Sequence, residues 1–165
     1  MSERTEEADE KPVYVAALEA AYGEPSQEGF GSAVFFEQMQ QDDDLEEMAK
    51  KYYQYFVGKN WDEWGEEVWM SPWKEIYRRP QKSKHNIEEE LREIEDFDTQ
   101  LQVGMILDDI ENADAAKAAL SEVYDPEEVV DLRAYNIGDG EAMTGLLLVG
   151  HRDNGEATLL VFLMD

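Results

Sequence analysis

Cysteine is missing altogether from this 165-residue chain, and histidine occurs only twice. Without a thiol there is no disulfide, no thiolate zinc site and no cysteine nucleophile. His85 and His151 are too few for a three-histidine zinc site, and neither stands in an H-x-x-x-H or H-E-x-x-H pattern. A cysteine-free chain suits a reducing compartment, so a cytoplasmic location is expected. Met1 to Lys11 is charged and lacks an apolar h-region, which argues against a secretory signal. Nowhere do the ~20 apolar residues of a membrane span occur, so no membrane partner is expected. Nucleotide signatures are absent too. There is no P-loop, and Gly138-Asp139-Gly140 lacks the third glycine and the following helix of a dinucleotide fingerprint. No serine or threonine sits in a nucleophile elbow. Catalytic residues, metal ligands and cofactors are therefore all read as none.

Bases are scarce as well. Lys and Arg number 14 against 40 Asp and Glu, giving a formal net charge of -26. Such a field repels nucleic acid and anionic lipid and attracts basic proteins and cations. The same charge also keeps a protein soluble. Adaptation to high salt is a further reading, and eight Lys against six Arg weigh against it.

The 42% of hydrophobic residues are enough for a core. The expected organisation is an acidic disordered tail over 1–11 and one α+β domain over 12–165. Pro12 and Gly23 bracket a short helix from Val13 to Ala21. Ala33 to Met39 fits strand or helix. Leu45, Met48, Tyr52 and Tyr55 or Phe56 define a helical stripe behind Asp42-Asp43-Asp44. Pro72 is placed to start a helix reaching Arg79. Asn86 caps a helix carrying Ile87, Leu91 and Ile94. Thr99, Leu101, Val103, Met105 and Leu107 recur with the period of two that marks a strand. Asn112 caps an alanine-rich helix to Tyr124.

Three strands follow, Val129–Ile137, Ala142–Arg152 and Thr158–Met164, separated by Asp139-Gly140 and Asn154-Gly155 turns. The fold class is α+β: N-terminal helices packed on a C-terminal antiparallel meander, with β-α-β-β-β order in the second half. Two-residue turns would set Leu147 opposite Phe162, Val149 opposite Leu160, Leu132 opposite Leu147 and Tyr135 opposite Thr144. Both faces of the meander are then apolar, so both need covering, by helices on one side and by the first half of the chain or a second copy on the other. A homodimer through that second face is thus one expectation. Arg133 falls on it beside Leu146 and needs an acidic or backbone partner, or marks a pocket.

Three groups of residues are candidates for function. Four tryptophans fall between Trp61 and Trp73. Trp61, Trp64 and Val68 share a helical face and read as core, whereas Trp69 and Trp73 fall outside it. With Arg133, Tyr135 and His151 they are the expected lining of a ligand pocket between the meander and the aromatic helices. Lys74, Arg78, Arg79, Lys82 and Lys84 form the one basic island, a candidate site for an anion or an acidic partner surface. It more often docks on its own protein's acids. Asp96, Asp98, Asp108, Asp109 and Glu111 flank the expected strand at 99–107, without the spacing of a Ca²⁺ loop. The reading that follows is a non-catalytic, acidic interaction or regulatory protein that binds a basic partner, of inhibitor, immunity or adaptor type. A small-ligand-binding or enzymatic domain with the Trp69–His151 pocket is the alternative.

Overall fold

Asp44, Asn86 and Asp96 each end a non-helical stretch by accepting a hydrogen bond from a backbone N–H two or three residues ahead. These three caps start three of the helices that enclose the sheet. The computed structural model describes residues 11–40 and 42–164. The first ten residues of the expected tail lie outside them. Among the described residues the helices are α1 (Val13–Tyr22), α2 (Leu45–Val57), α3 (Lys59–Trp64), α4 (Glu66–Met70), α5 (Ile87–Arg92), α6 (Phe97–Leu107) and α7 (Ala113–Tyr124). The strands are β1 (Gly31–Gln38), β2 (Lys74–Arg78), β3 (Val129–Gly138), β4 (Thr144–Arg152) and β5 (Glu156–Met164). They make one antiparallel sheet in the order β1-β5-β4-β3-β2. The α+β class and the C-terminal meander are as the sequence predicts. Among the described residues no helix is long and apolar enough to cross a membrane.

Both sheet faces are covered, and by this chain alone. On one face α1, α5, α6 and α7 pack on Val34, Leu132, Ala134, Leu146, Leu148 and Leu160. On the other, α2, α3 and α4 pack on Phe35 of β1, Tyr135 and Ile137 of β3, Leu147 and Val149 of β4, and Leu159, Val161 and Leu163 of β5. The second sheet face is therefore covered by α2–α4.

Both hairpin registers differ from expectation, and the loops explain why. Leu146 lies opposite Phe162 and Leu148 opposite Leu160. The connection is a three-residue loop, Asp153–Gly155, in which the Gly155 N–H donates to the Arg152 carbonyl at 2.9 Å. Gly155 has φ 91°, the left-handed geometry that closes such a loop. Leu132 lies opposite Gly150 and Tyr135 opposite Leu147. That loop runs over 139–143, and the Asp139 carboxylate holds it by accepting the N–H groups of Glu141 and Met143 at 2.8 and 2.9 Å. Both slips are odd. β3 and β5 therefore keep their expected faces and β4 alone turns over. Arg133 lies opposite Val149 rather than Leu146.

Three further segments depart from expectation. Residues 97–107 are helix α6, so the second half reads α-α-β-β-β and not β-α-β-β-β. The segment is apolar at nearly every second and every third or fourth position, so both periods fit it, and the Asp96 cap decides for helix. Lys74–Arg78 is the edge strand β2 rather than a helix, because it pairs with β3 through a bulge between Glu75 and Tyr77. Asn112 precedes α7 in the left-handed conformation and gives no side-chain cap. α6 is also apolar on both sides: Thr99 and Gln102 are buried beside Val103, Ile106 and Leu107, while Phe97, Leu101 and Met105 are 74%, 54% and 38% exposed.

Candidate functional site

Tyr53, on α2, organises the aromatic cluster. Its ring is buried, and its hydroxyl lies 2.7 Å from the Trp69 carbonyl and 2.9 Å from the Gly138 carbonyl, while the Gly138 N–H donates to it at 2.9 Å. One hydroxyl thus ties α4 to the end of β3. Trp73 stacks between Tyr53 and Tyr135, with centroids 5.7 and 4.5 Å away, and its indole N–H donates to Glu46 at 2.9 Å. Trp69 is buried, stacks on Trp64 at 5.2 Å and donates its indole N–H to the Asn60 carbonyl. It belongs to the packing between α3 and α4, as Trp61 does to the same core.

A polar row continues from Tyr135 along β3. Residues two apart on a strand share a face, so Tyr135, Arg133 and Asp131 follow one another. Arg133 grips Asp131 with two N–H groups at 3.1 and 2.8 Å and donates to the Tyr135 hydroxyl at 3.3 Å. The Asp131 carboxylate raises the Arg133 pKa further above its ordinary range, so this guanidinium stays charged. Burial raises the Tyr135 hydroxyl. His151 is the cross-strand partner of Asp131.

The polar end of this row opens into a groove of about 780 Å³, lined by Asp43, Asp44, Asp131, Arg133, His151 and Arg152 among others. Of the five pocket candidates, Arg133 and His151 line it. Tyr135 meets it only through Arg133, and Trp69 and Trp73 do not line it. Most charged groups of the groove already have partners. Asp43 accepts the Gln40 N–H, Asp44 caps α2, Arg133 holds Asp131, and Arg152 lies over the Tyr14 ring at 3.8 Å while donating to the Glu122 carbonyl. His151 Nδ1 is 3.2 Å from the Arg152 carbonyl. If that nitrogen carries the proton, Nε2 is left as an acceptor.

The basic island divides. Arg79 is buried and forks onto Glu90 at 2.7 and 2.6 Å, with a third bond to the Tyr124 carbonyl at 2.8 Å. Arg78 pairs with Glu75 at 2.7 Å. Lys74, Lys82 and Lys84 are exposed and make no ion pair among the described residues. The carboxylates expected at strand ends sit instead at helix ends: Asp96 caps α6, and Asp108 pairs with Arg92 at 2.9 Å.

Leu101 and Met105 enter the sequence reading only as members of an expected strand, apart from Phe97. Their spacing of four was visible, but the alternation at 99–107 masked it. No protein-family model matches the chain, and no curated protein or solved structure matches it significantly.

Proposed function

We propose that this is a non-catalytic, cytoplasmic interaction protein whose acidic surface holds a basic protein partner, as an inhibitor, immunity-type protein or adaptor would. The observation that carries this reading is how its bases are used. Lys11, Lys50, Lys51, Arg78, Arg79, Arg92, Lys117 and Arg133 all form ion pairs with the chain's own carboxylates. Against 40 acids, this leaves a large surplus of carboxylates facing outward. A field of one sign steers an oppositely charged partner and weakens as salt screens it.

Affinity capture from the source lysate at low and moderate salt tests the proposal, followed by reassembly of the complex from purified components. A stoichiometric basic partner whose affinity falls as salt rises is expected. Reassembled binding that is indifferent to salt, or no partner at low salt, overturns the reading.

The Arg133–His151 groove supports the second reading, a small-ligand site. A ligand that raises the melting temperature of the wild type but not of His151→Ala would favour it. A screen of small anions and metabolites without such a shift would count against it.

A further inference from the structure

We propose that the exposed ridge of α6, formed by Phe97, Leu101 and Met105, is a docking surface for a basic amphipathic helix of a partner protein. The inference rests on the basic-partner reading and gives it a location.

The first argument is that α6 is apolar on its outer side as well as its inner one. Its buried side carries Thr99 and Gln102 beside Val103, Ile106 and Leu107, and the Gln102 carbonyl oxygen is buried without a hydrogen-bond partner although its amide donates to Thr144 at 2.8 Å. The opposite side exposes Phe97, Leu101 and Met105. Side chains four apart on a helix are neighbours, so these three form a continuous ridge. Phenylalanine and methionine are enriched at protein interfaces, and a ridge of this spacing accepts the apolar stripe of another helix.

Charge identifies the occupant. Residues 93–111 contain seven carboxylates and no base. Glu93, Glu95, Asp96 and Asp98 lie at the start of α6 and Asp108, Asp109 and Glu111 beyond its end, all exposed. Asp96 is committed to the cap and Asp108 to Arg92. Asp109 has no side-chain partner among the described residues and lies where the helix dipole is negative, so a cation placed there is favoured. The surface therefore matches an apolar stripe flanked by Lys or Arg at both ends. A second copy would set these carboxylates against their own kind. Residues 1–10 carry five acids and one base and meet the same repulsion.

The test compares two synthetic peptides of identical composition: a Leu/Lys helix with its leucines on one face, and a scrambled peptide without that stripe. Binding to the full-length protein is measured by calorimetry at low and moderate salt, for the wild type and for Phe97→Ser/Leu101→Gln/Met105→Gln. The wild type is expected to bind the striped peptide at least tenfold more tightly than the scrambled one, and the triple variant to lose that preference. Circular dichroism checks that the variant is folded. If it is not, the single substitution Leu101→Lys replaces it and is expected to weaken striped-peptide binding at least fivefold. Equal affinity of the wild type for both peptides, or an undiminished preference in the folded variant, overturns the ridge. If both peptides then still bind with salt dependence, the basic-partner reading survives without it. Binding of neither at low salt overturns both. Concentration-dependent dimerisation of the wild type that the triple variant abolishes would assign the ridge to a second copy, against the proposal.

Discussion

Arg79 and Glu90 meet through two hydrogen bonds of 2.7 and 2.6 Å, with side chains only 4% and 10% exposed. The pair joins the chain just beyond β2 to α5, and the Tyr77 hydroxyl donates to the same carboxylate at 2.7 Å. Removing one partner leaves the other charge buried and unpaired, at a cost of about 3–5 kcal/mol. Glu90→Ala is expected to lose that much in urea unfolding. Arg79→Met/Glu90→Leu is expected to lose clearly less than either single change, since no charge is then stranded.

The same carboxyl gives a pH dependence of known sign. Burial pushes the Glu90 pKa up, but the hydrogen bonds from Arg79 and Tyr77 outweigh it, and the net shift is downward from 4.5. The folded state therefore binds this proton less readily than the unfolded one. The stabilisation is complete above the unfolded pKa and lost as pH falls through the folded one. The stability difference between wild type and Glu90→Gln is expected to be constant near neutrality and to shrink below about pH 4.5. Asp125, whose pKa burial raises, works in the opposite direction, and because the Glu90 charge adds to that rise it offsets part of the shrinkage. Denaturant titrations from pH 7 to 3 supply the measurement.

Tyr53→Phe keeps the buried ring and removes the hydroxyl shared by Trp69 and Gly138. The Gly138 N–H then has no partner at this point. A loss of about 1–3 kcal/mol is expected, read by chemical denaturation.

Two glycines are expected to respond in opposite directions. A β-carbon on Gly145 would collide with the Phe162 carbonyl oxygen, so Gly145→Ala should destabilise by about 1–3 kcal/mol or more. A β-carbon on Gly104, within α6, meets nothing within 4 Å. Gly104→Ala should gain about 0.5–1 kcal/mol from helix propensity. Melting temperatures of the two variants decide both.

Self-repulsion at a net charge of -26 weakens the folded state, and salt screens it. The melting temperature is expected to rise between 20 mM and 500 mM NaCl, values chosen to move the Debye length from roughly 20 Å to about 4 Å. No rise would show that intramolecular pairs such as Arg92–Asp108 already offset the repulsion.

The meander was legible because Gly-containing turns separate its three apolar runs, whereas its register was not. Leu146, Leu147 and Leu148 are all apolar, so turning β4 over changes nothing in the pattern, and only the Asp139-held loop and the Gly155 closure fix the pairing. α6 was misread for a related reason: with Val103, Ile106 and Leu107 inward and Phe97, Leu101 and Met105 outward, hydrophobicity does not mark one face. Arg133 did find the acidic partner that its apolar surroundings demanded. The separation of Trp69 from the groove depended on the packing of α3 against α4, which no local pattern reveals.

The position of β5 between β1 and β4 has a consequence for how the protein is made. Among the described residues β1 pairs only with β5, and Gly31 meets Leu163. On a ribosome, which adds residues in order, β1 emerges before β5 and must wait for that neighbour until all of the intervening chain has been translated. Throughout that interval the apolar run Ala33–Phe36 stays unpaired, so a nascent chain of this protein is at its most aggregation-prone just before the last strand emerges.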